Sequence, residues 1–169
     1  MFMQYVDNVF VNNADYRPGI TVDKLRRPNP DEWRLILCEA DGNCFYHALS
    51  KSLSLKDAQT VRMDIIDYLI GNEHMMPSRK EVLRRVYSGV DKERRGLSIS
   101  HESWANHEEM QICARMYNVV ICVWNAEYQM WTACFPRDDV FILSQCRKII
   151  YLHHDGAHFN ILKRKFTEI

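Results

Sequence analysis

Asp41-Gly42-Asn43-Cys44-Phe45-Tyr46-His47-Ala48-Leu49 is the stretch where one periodicity gives way to another. Before it, Trp33-Arg34-Leu35-Ile36-Leu37-Cys38 has the composition of a strand, and after it Phe45, Ala48, Leu49 and Leu53 recur at helical spacing. The chain therefore runs strand, tight turn, helix, with Cys44 where the helix begins. That position has chemical consequences. Cysteine is a good nucleophile only as thiolate, and a helix amino terminus favours negative charge. Gly42 lets a tight turn aim the backbone N–H groups of residues around 41 to 44 at one point, where a side chain would often obstruct it. Such N–H groups can stabilise the oxyanion of an acyl-transfer intermediate, worth about 3 to 4 kcal/mol per donor in a serine protease.

Downstream of the turn, Asp57 to about Ile70 predicts a second helix with Ala58, Val61, Ile65 and Leu69 on one face and Gly71 at its end. Ser78-Arg79-Lys80-Glu81 has the form of a capping box and opens a third, which Gly89 is expected to close. Asp91 to Arg95 then reads as a charged, solvated loop or arm, and Arg79, Lys80, Arg84, Arg85, Arg94 and Arg95 as a solvated basic face. Asn106-His107-Glu108-Glu109 starts a fourth helix whose Met110, Cys113, Ala114 and Tyr117 form one stripe, closed by Asn118. From Val119 the period becomes that of strands. Val119–Trp124 and Tyr128–Phe135 form one hairpin, and Arg147–His153 and His158–Leu162 form a second across His154-Asp155-Gly156-Ala157. Helices early and paired strands late indicate an α+β domain. Residues 1 to about 30, with Asn12-Asn13-Ala14-Asp15, Arg17-Pro18-Gly19, Pro28 and Pro30, read as turns around short irregular pieces.

The turn needs a base from elsewhere. Of seven histidines, His158 is favoured because it heads a strand beside a glycine-containing turn, at a sheet edge where a cleft would open. Asn160 follows two residues later on the same strand face, so its amide oxygen is placed to accept from the imidazole and hold its tautomer. Phe159 between them is expected to point into the core. The bland alternatives are that Cys44 is a small buried hydrophobe, His158 a core or surface histidine and Asn160 a turn residue. The other cysteines, Cys38, Cys113, Cys122, Cys134 and Cys146, fall on strands or apolar helix faces and read as structural. His153-His154 has no accepted zinc-ligand spacing with any of them, so no metal and no cofactor is expected.

Composition narrows the function further. The chain has 169 residues, 47% of them hydrophobic and 26% charged, which is the balance of one ordered globular domain. Its 22 basic residues equal its 22 acidic ones, so no global field exists to hold nucleic acid. The longest apolar run, Val119 to Trp124, is far too short to cross a membrane. The first residues carry neither a basic leader nor a long apolar stretch, and the dispersed cysteines fit a reducing compartment. A cytoplasmic protein without membrane or nucleic-acid partners is expected.

Asp41-Gly42-Asn43-Cys44-Phe45-Tyr46, followed over a hundred residues later by His158-Phe159-Asn160-Ile161-Leu162, resembles the ovarian tumour (OTU) family of cysteine proteases. That family's blocks read D-G-N-C-L/F-F/Y and H-Y/F-x-x-L, in this order and at this separation. A third block, W-G-x-x-x-E-L, is matched by Trp104-Ala105-Asn106-His107-Glu108-Glu109-Met110, with Ala105 in place of glycine. The resemblance covers about residues 33 to 163, with residues 1 to 32 as an amino-terminal extension packed on a single domain spanning 1 to 169. It implies a papain-like fold with a small central mixed or antiparallel β-sheet flanked by helices. It also implies Cys44 as nucleophile, His158 as general base and later acid, Asn160 as orienting residue, and the Asp41 backbone amide in the oxyanion hole with that of Cys44. Where some members carry aspartate, Asn160 stabilises imidazolium less, so an altered pH profile is expected. The implied activity is hydrolysis after the carboxy-terminal Gly-Gly of ubiquitin, or of a ubiquitin-like modifier, by a monomer. Compact versions of this length resemble those of viruses and some intracellular bacteria, which would act in the host cytoplasm. Two alternatives remain open at this stage: a protease that processes its own polyprotein, and a catalytically silent ubiquitin-binding module.

Overall fold

The computed structural model describes residues 4–5, 25–72, 78–137 and 148–165. The turns expected at Asn12–Gly19, and Cys146 and Arg147, lie outside the described residues. In chain order the elements are β1 (Gln4–Tyr5), β2 (Trp33–Ile36), α1 (Cys44–Ser52), α2 (Ala58–Gly71), α3 (Arg79–Arg94), a 3-10 turn (His101–Ser103), α4 (His107–Tyr117), β3 (Val120–Asn125), β4 (Met130–Cys134), β5 (Ile149–His154) and β6 (Phe159–Arg164).

The helices start where the sequence supplies caps. The Asp57 carboxylate accepts from the Thr60 N–H and hydroxyl at the start of α2. Asn106 and Glu109 form a complete capping box on α4, which ends at Asn118 in the left-handed region at φ 54°. Two expectations fail at α3. The Ser78 side chain makes no cap bond; its hydroxyl donates to the Glu108 carboxylate on α4. Nor does Gly89 end the helix, which continues through Asp91–Arg94, so the expected solvated loop is its last turn. The basic face is also only partly solvated. Arg85 reaches Glu108 and Glu109 with Nη2 at 3.2 and 2.6 Å, and Arg79 Nε donates to the Leu69 carbonyl.

Six strands form one mixed sheet in the order β1-β4-β3-β5-β6-β2, in which β3 and β5 are parallel and every other pair is antiparallel. Alternation sends Ile121, Val123, Ile150, Leu152, Phe159 and Ile161 to the face on which α1 and α4 pack, with α2 behind these two and α3 against α2, and Phe45, Leu49, Val61, Ile65, Val86 and Ile112 complete the core. The opposite face carries Trp33, Trp124, Trp131, Leu162 and Tyr151, with Leu25 packed against them. Among the described residues the helices thus cover one face, and an aromatic cluster covers the other. Trp131 Nε1 donates to the Arg26 carbonyl, which ties the segment before β2 to that cluster. No helix among the described residues is long and apolar enough to cross a membrane.

The register of β6 positions the site. Pairing of Ile36 with Ile161 on one side and of His154 with Phe159 on the other sets the beginning of β6 between the end of β2 and the end of β5. The chain leaves β2 there, passes Cys38 and turns at Asp41–Asn43 into α1.

Candidate active site

Cys44 is the first residue of α1, as its sequence context predicts, and its side chain is 9% exposed. Phe45 is buried behind it, edge to face with Phe159 at 5.5 Å, so α1 and the start of β6 are packed against each other. Gly42 is required by space: a Cβ there would lie 2.4 Å from Ile99 Cγ2 and 2.8 Å from the Ile99 carbonyl oxygen. Asp41 braces the turn through its carboxylate. Oδ1 accepts from the Asn43 N–H at 2.8 Å, and Oδ2 lies 3.0 Å from His47 Nε2. The Asn43 amide is therefore occupied, whereas the Cys44 N–H makes only a long 3.3 Å bond to the Asp41 carbonyl and can redirect to an oxyanion.

The thiol sits in a small cavity of about 50 Å³. Its walls include Gly42, Ala105, Gly156 and Ala157, flanked by Trp104 and His154. Burial pushes the Cys44 pKa above the ordinary cysteine value and the Asp41 charge adds to this, while the backbone N–H groups of Phe159 and Phe45 pull in the opposite direction. A larger cavity of about 590 Å³ lies near the far end of α1, among Ile36, Lys51, Ile150, Ile161 and Lys163, and contains none of the expected site residues.

His158 stands just before β6, on a turn shaped by Asp155, whose carboxylate accepts from the Ala157 and His158 N–H groups at 3.0 and 2.8 Å. Those two bonds hold the Asp155 pKa below the usual carboxylate range. His158 Nε2 lies 3.0 Å from the Cys38 carbonyl oxygen. A carbonyl only accepts, so Nε2 carries the proton and Nδ1 keeps the lone pair of a base. Among the described residues no hydrogen bond joins this imidazole to Cys44.

The bond expected between Asn160 and the His158 ring is not the one formed. Asn160 is buried, and its Oδ1 accepts from the Cys38 N–H at 2.9 Å. His158 and Asn160 thus hold the two sides of one residue, the ring on its C=O and the amide on its N–H. The Cys38 peptide lies between Asn160 and the ring. No local pattern signals this arrangement, because it depends on the chain beyond β2 running alongside β6.

Other residues of the site escaped sequence reasoning. His154 is half-buried, stacked on Phe159 with ring centroids 4.3 Å apart, and burial lowers its pKa. It lines the cavity that holds Cys44, where His158 is not among the lining residues. The alternation of β5 was the available signal, since it sends His154 to the same sheet face as Ile150 and Leu152. Trp104, from the third family block, packs on His101 at 4.1 Å, and its indole N–H is buried without an acceptor among the described residues. Glu109 of the same block is fully buried and accepts from Arg85 and from the Asn106 N–H, which anchors the loop that presents Trp104 and Ala105. No disulfide forms among the described cysteines, and no group of three or more His, Cys, Asp or Glu among the described residues is placed to hold a metal ion.

No protein-family model matches the chain, and no curated protein matches it significantly. Solved structures do. An ovarian tumour (OTU) domain in complex with ubiquitin is 14% identical, with a TM-score of 0.58, covering 79% of this chain and 70% of the other. The Hazara virus OTU bound to ubiquitin is 19% identical at a TM-score of 0.52 and covers 89% and 88%. An OTU deubiquitinase from Wolbachia pipientis wMel is 17% identical at 0.53 and covers 82% and 92%. At these identities the shared feature is the fold, and the chain has the α+β, papain-like fold of OTU domains.

Proposed function

We propose that this protein is a cysteine protease of the deubiquitinase type, cleaving after the carboxy-terminal glycine of ubiquitin or a ubiquitin-like modifier. The observation that carries the reading is the placement of Cys44 at a helix start, inside a cavity of about 50 Å³ lined by Gly42, Ala105, Gly156 and Ala157 together with the rings of Phe45, Trp104, His154 and Phe159. A space this small, with aromatic rings and four small residues around it, suits a chain without side chains. Two structural neighbours, each an OTU domain bound to ubiquitin, support the same substrate class.

In this mechanism His158 Nδ1 takes the Cys44 proton as the sulfur attacks the glycyl carbonyl carbon. The carbonyl π electrons move to oxygen, and the Cys44 and Asp41 amides stabilise that oxyanion. As the intermediate collapses, His158 returns its proton to the departing amine and a thioester remains. Water, deprotonated by the same imidazole, then attacks the thioester and releases the carboxylate and the thiol. The bond between Cys44 and His158 forms when substrate occupies the cavity, as is common for catalytic pairs that are loose in the free enzyme. Asn160 keeps the Cys38 carbonyl in place for the imidazole. We assign the protein a monomeric, cytoplasmic role, in the host if its source is a virus or bacterium.

One observation favours a second assignment of the base: His154 lines the cavity with Cys44 and His158 does not. The comparison of variants in the Discussion separates the two.

The test is reaction of the purified protein, and of Cys44→Ala, with ubiquitin carrying a thiol-reactive group at its carboxy terminus, read as a mass shift. A Cys44-dependent adduct is expected, together with cleavage of ubiquitin conjugates by the wild type alone. Folded wild-type protein that binds ubiquitin without an adduct is a silent module. Protein that ignores ubiquitin yet cuts its own flanking chain is a polyprotein protease.

A further inference from the structure

Arg62, on the second turn of α2, belongs to none of the motifs that point to the site, yet its side chain ends beneath the Cys44 turn. The residue is fully buried, with Cζ 4.2 Å from the centroid of the Tyr46 ring. Its two shortest bonds run from Nε to Asn43 Oδ1 at 2.7 Å and from Nη2 to the Ser103 carbonyl at 2.8 Å. Longer contacts of 3.4 Å reach the carbonyls of Gly42, Arg85 and Val86. Every one of these acceptors is neutral. Arginine is rarely buried without a carboxylate, so the site is built from oriented dipoles around one cation.

The rest of the fold makes room for it. A Cβ on Gly89 would lie 2.2 Å from Arg62 Cζ, which accounts for a glycine inside α3 where sequence reasoning expected a helix end. A purely architectural role, stapling α2 to α3, accounts for the two long contacts to Arg85 and Val86. It leaves the two shortest unexplained, because these go to residues adjoining Cys44 and Trp104.

A second observation concerns the cap of α1. Asparagine before a helix normally turns its side chain onto the first N–H groups. Here Asn43 makes no such cap, since its oxygen is held by Arg62. The amides at the start of α1 are thereby left without a side-chain cap, and the Phe45 N–H is among the groups that favour the Cys44 thiolate.

We infer that Arg62 is a positioning residue for acyl transfer: it draws the Asn43 side chain off the helix start and fixes the Gly42 carbonyl, leaving backbone N–H groups aimed at the reacting sulfur and the oxyanion. The inference rests on the protease reading above. Arg62 touches no substrate, and it acts through the turn.

The experiment compares wild type, Arg62→Lys and Asn43→Ala, using ubiquitin with a carboxy-terminal fluorophore as substrate and active-site titration by the thiol-reactive ubiquitin. Lysine keeps the charge and loses the planar fork. For Arg62→Lys the expected result is a kcat per titrated site lower by about ten- to hundredfold, the size of effect a slightly misplaced catalytic group produces, with KM within about twofold of wild type. A merely structural role predicts fewer titratable sites at unchanged kcat per site, and that outcome overturns the inference, as does a raised KM at full kcat. Should Arg62→Lys fail to fold, Asn43→Ala decides alone: it removes the side chain that Arg62 holds back while the cation keeps its carbonyl partners, so kcat per titrated site should stay within about twofold of wild type, and a ten- to hundredfold loss there overturns the inference. Wild-type protein with neither turnover nor a titratable site overturns the protease reading itself, and the inference with it.

Discussion

The turn that carries Cys44 and the hairpin that carries His158 are built in opposite ways. The turn is fixed from the interior: Gly42 lies against Ile99, Asn43 is bound by a buried cation, and Asp41 uses both carboxylate oxygens. The hairpin is fixed from its rim. Exposed Asp155 gathers two amides, Gly156 takes φ +101°, and among the described residues the imidazole has a single hydrogen bond, to the Cys38 carbonyl. The lesson is that the proposed nucleophile and oxyanion donors are preorganised by the core, whereas the proposed base is aimed by one peptide at the sheet edge. Changes in the turn should damage stability and turnover together. Changes in the hairpin should damage turnover alone.

The sharpest way to break this comparison is a series of hairpin variants assayed on a ubiquitin–fluorophore substrate. His158→Ala is expected to lower kcat/KM by about 10² to 10⁴-fold, the usual contribution of a general base. Asn160→Ala, acting only through the Cys38 peptide, should lose about tenfold, and His154→Ala less, all three melting within a few degrees of wild type. A larger loss at His154 than at His158 hands the role of base to the residue that lines the cavity.

Gly42→Ala probes the other region. The added methyl meets both the side chain and the carbonyl of Ile99, so overpacking should destabilise the fold by about 1 to 3 kcal/mol in urea denaturation and abolish most turnover. Because one clash is with backbone, Ile99→Ala in the same chain should recover only part of the stability. Full stability in Gly42→Ala would mean that the turn yields easily and is not set by the core.

The smallest effect concerns proton affinity. Burial raises the Cys44 pKa, and a raised acid pKa means that the reactive thiolate appears only at higher pH. Alkylation of Cys44 in the free protein by a small neutral electrophile should therefore still be increasing as pH passes about 8.5, the ordinary cysteine value. A plateau below neutrality would reveal a preformed thiolate–imidazolium pair, and a base already aimed in the absence of substrate.

Much of this molecule is legible where a local rule governs. Asp57, Asn106 and Asn118 act as helix punctuation because capping depends on neighbours within a few residues. The α1 start and both late hairpins follow from a change of period. The failures share one cause, a polar partner remote in sequence. Gly89 reads as a helix end, yet it is small to admit Arg62 from α2. Ser78 reads as a cap, yet its hydroxyl goes to Glu108, thirty residues away. Arg85 reads as solvated, yet it pairs with the buried Glu109.

The sequence by itself determined the nucleophile's setting, since glycine, asparagine and cysteine in succession at a strand-to-helix change specify a tight turn ending in a helix start. It also determined the α+β order of elements, because periodicity is carried by the chain alone. Tertiary structure decided what the turn leans on and where the histidines sit. Only when β2 lies beside β6 does the Cys38 peptide come between His158 and Asn160, and only when β5 pairs with β6 does His154 reach the cavity. Those contacts join residues more than a hundred positions apart, or on facing strands. Their physical cause is sheet register, which is set by burying one face of every strand at once.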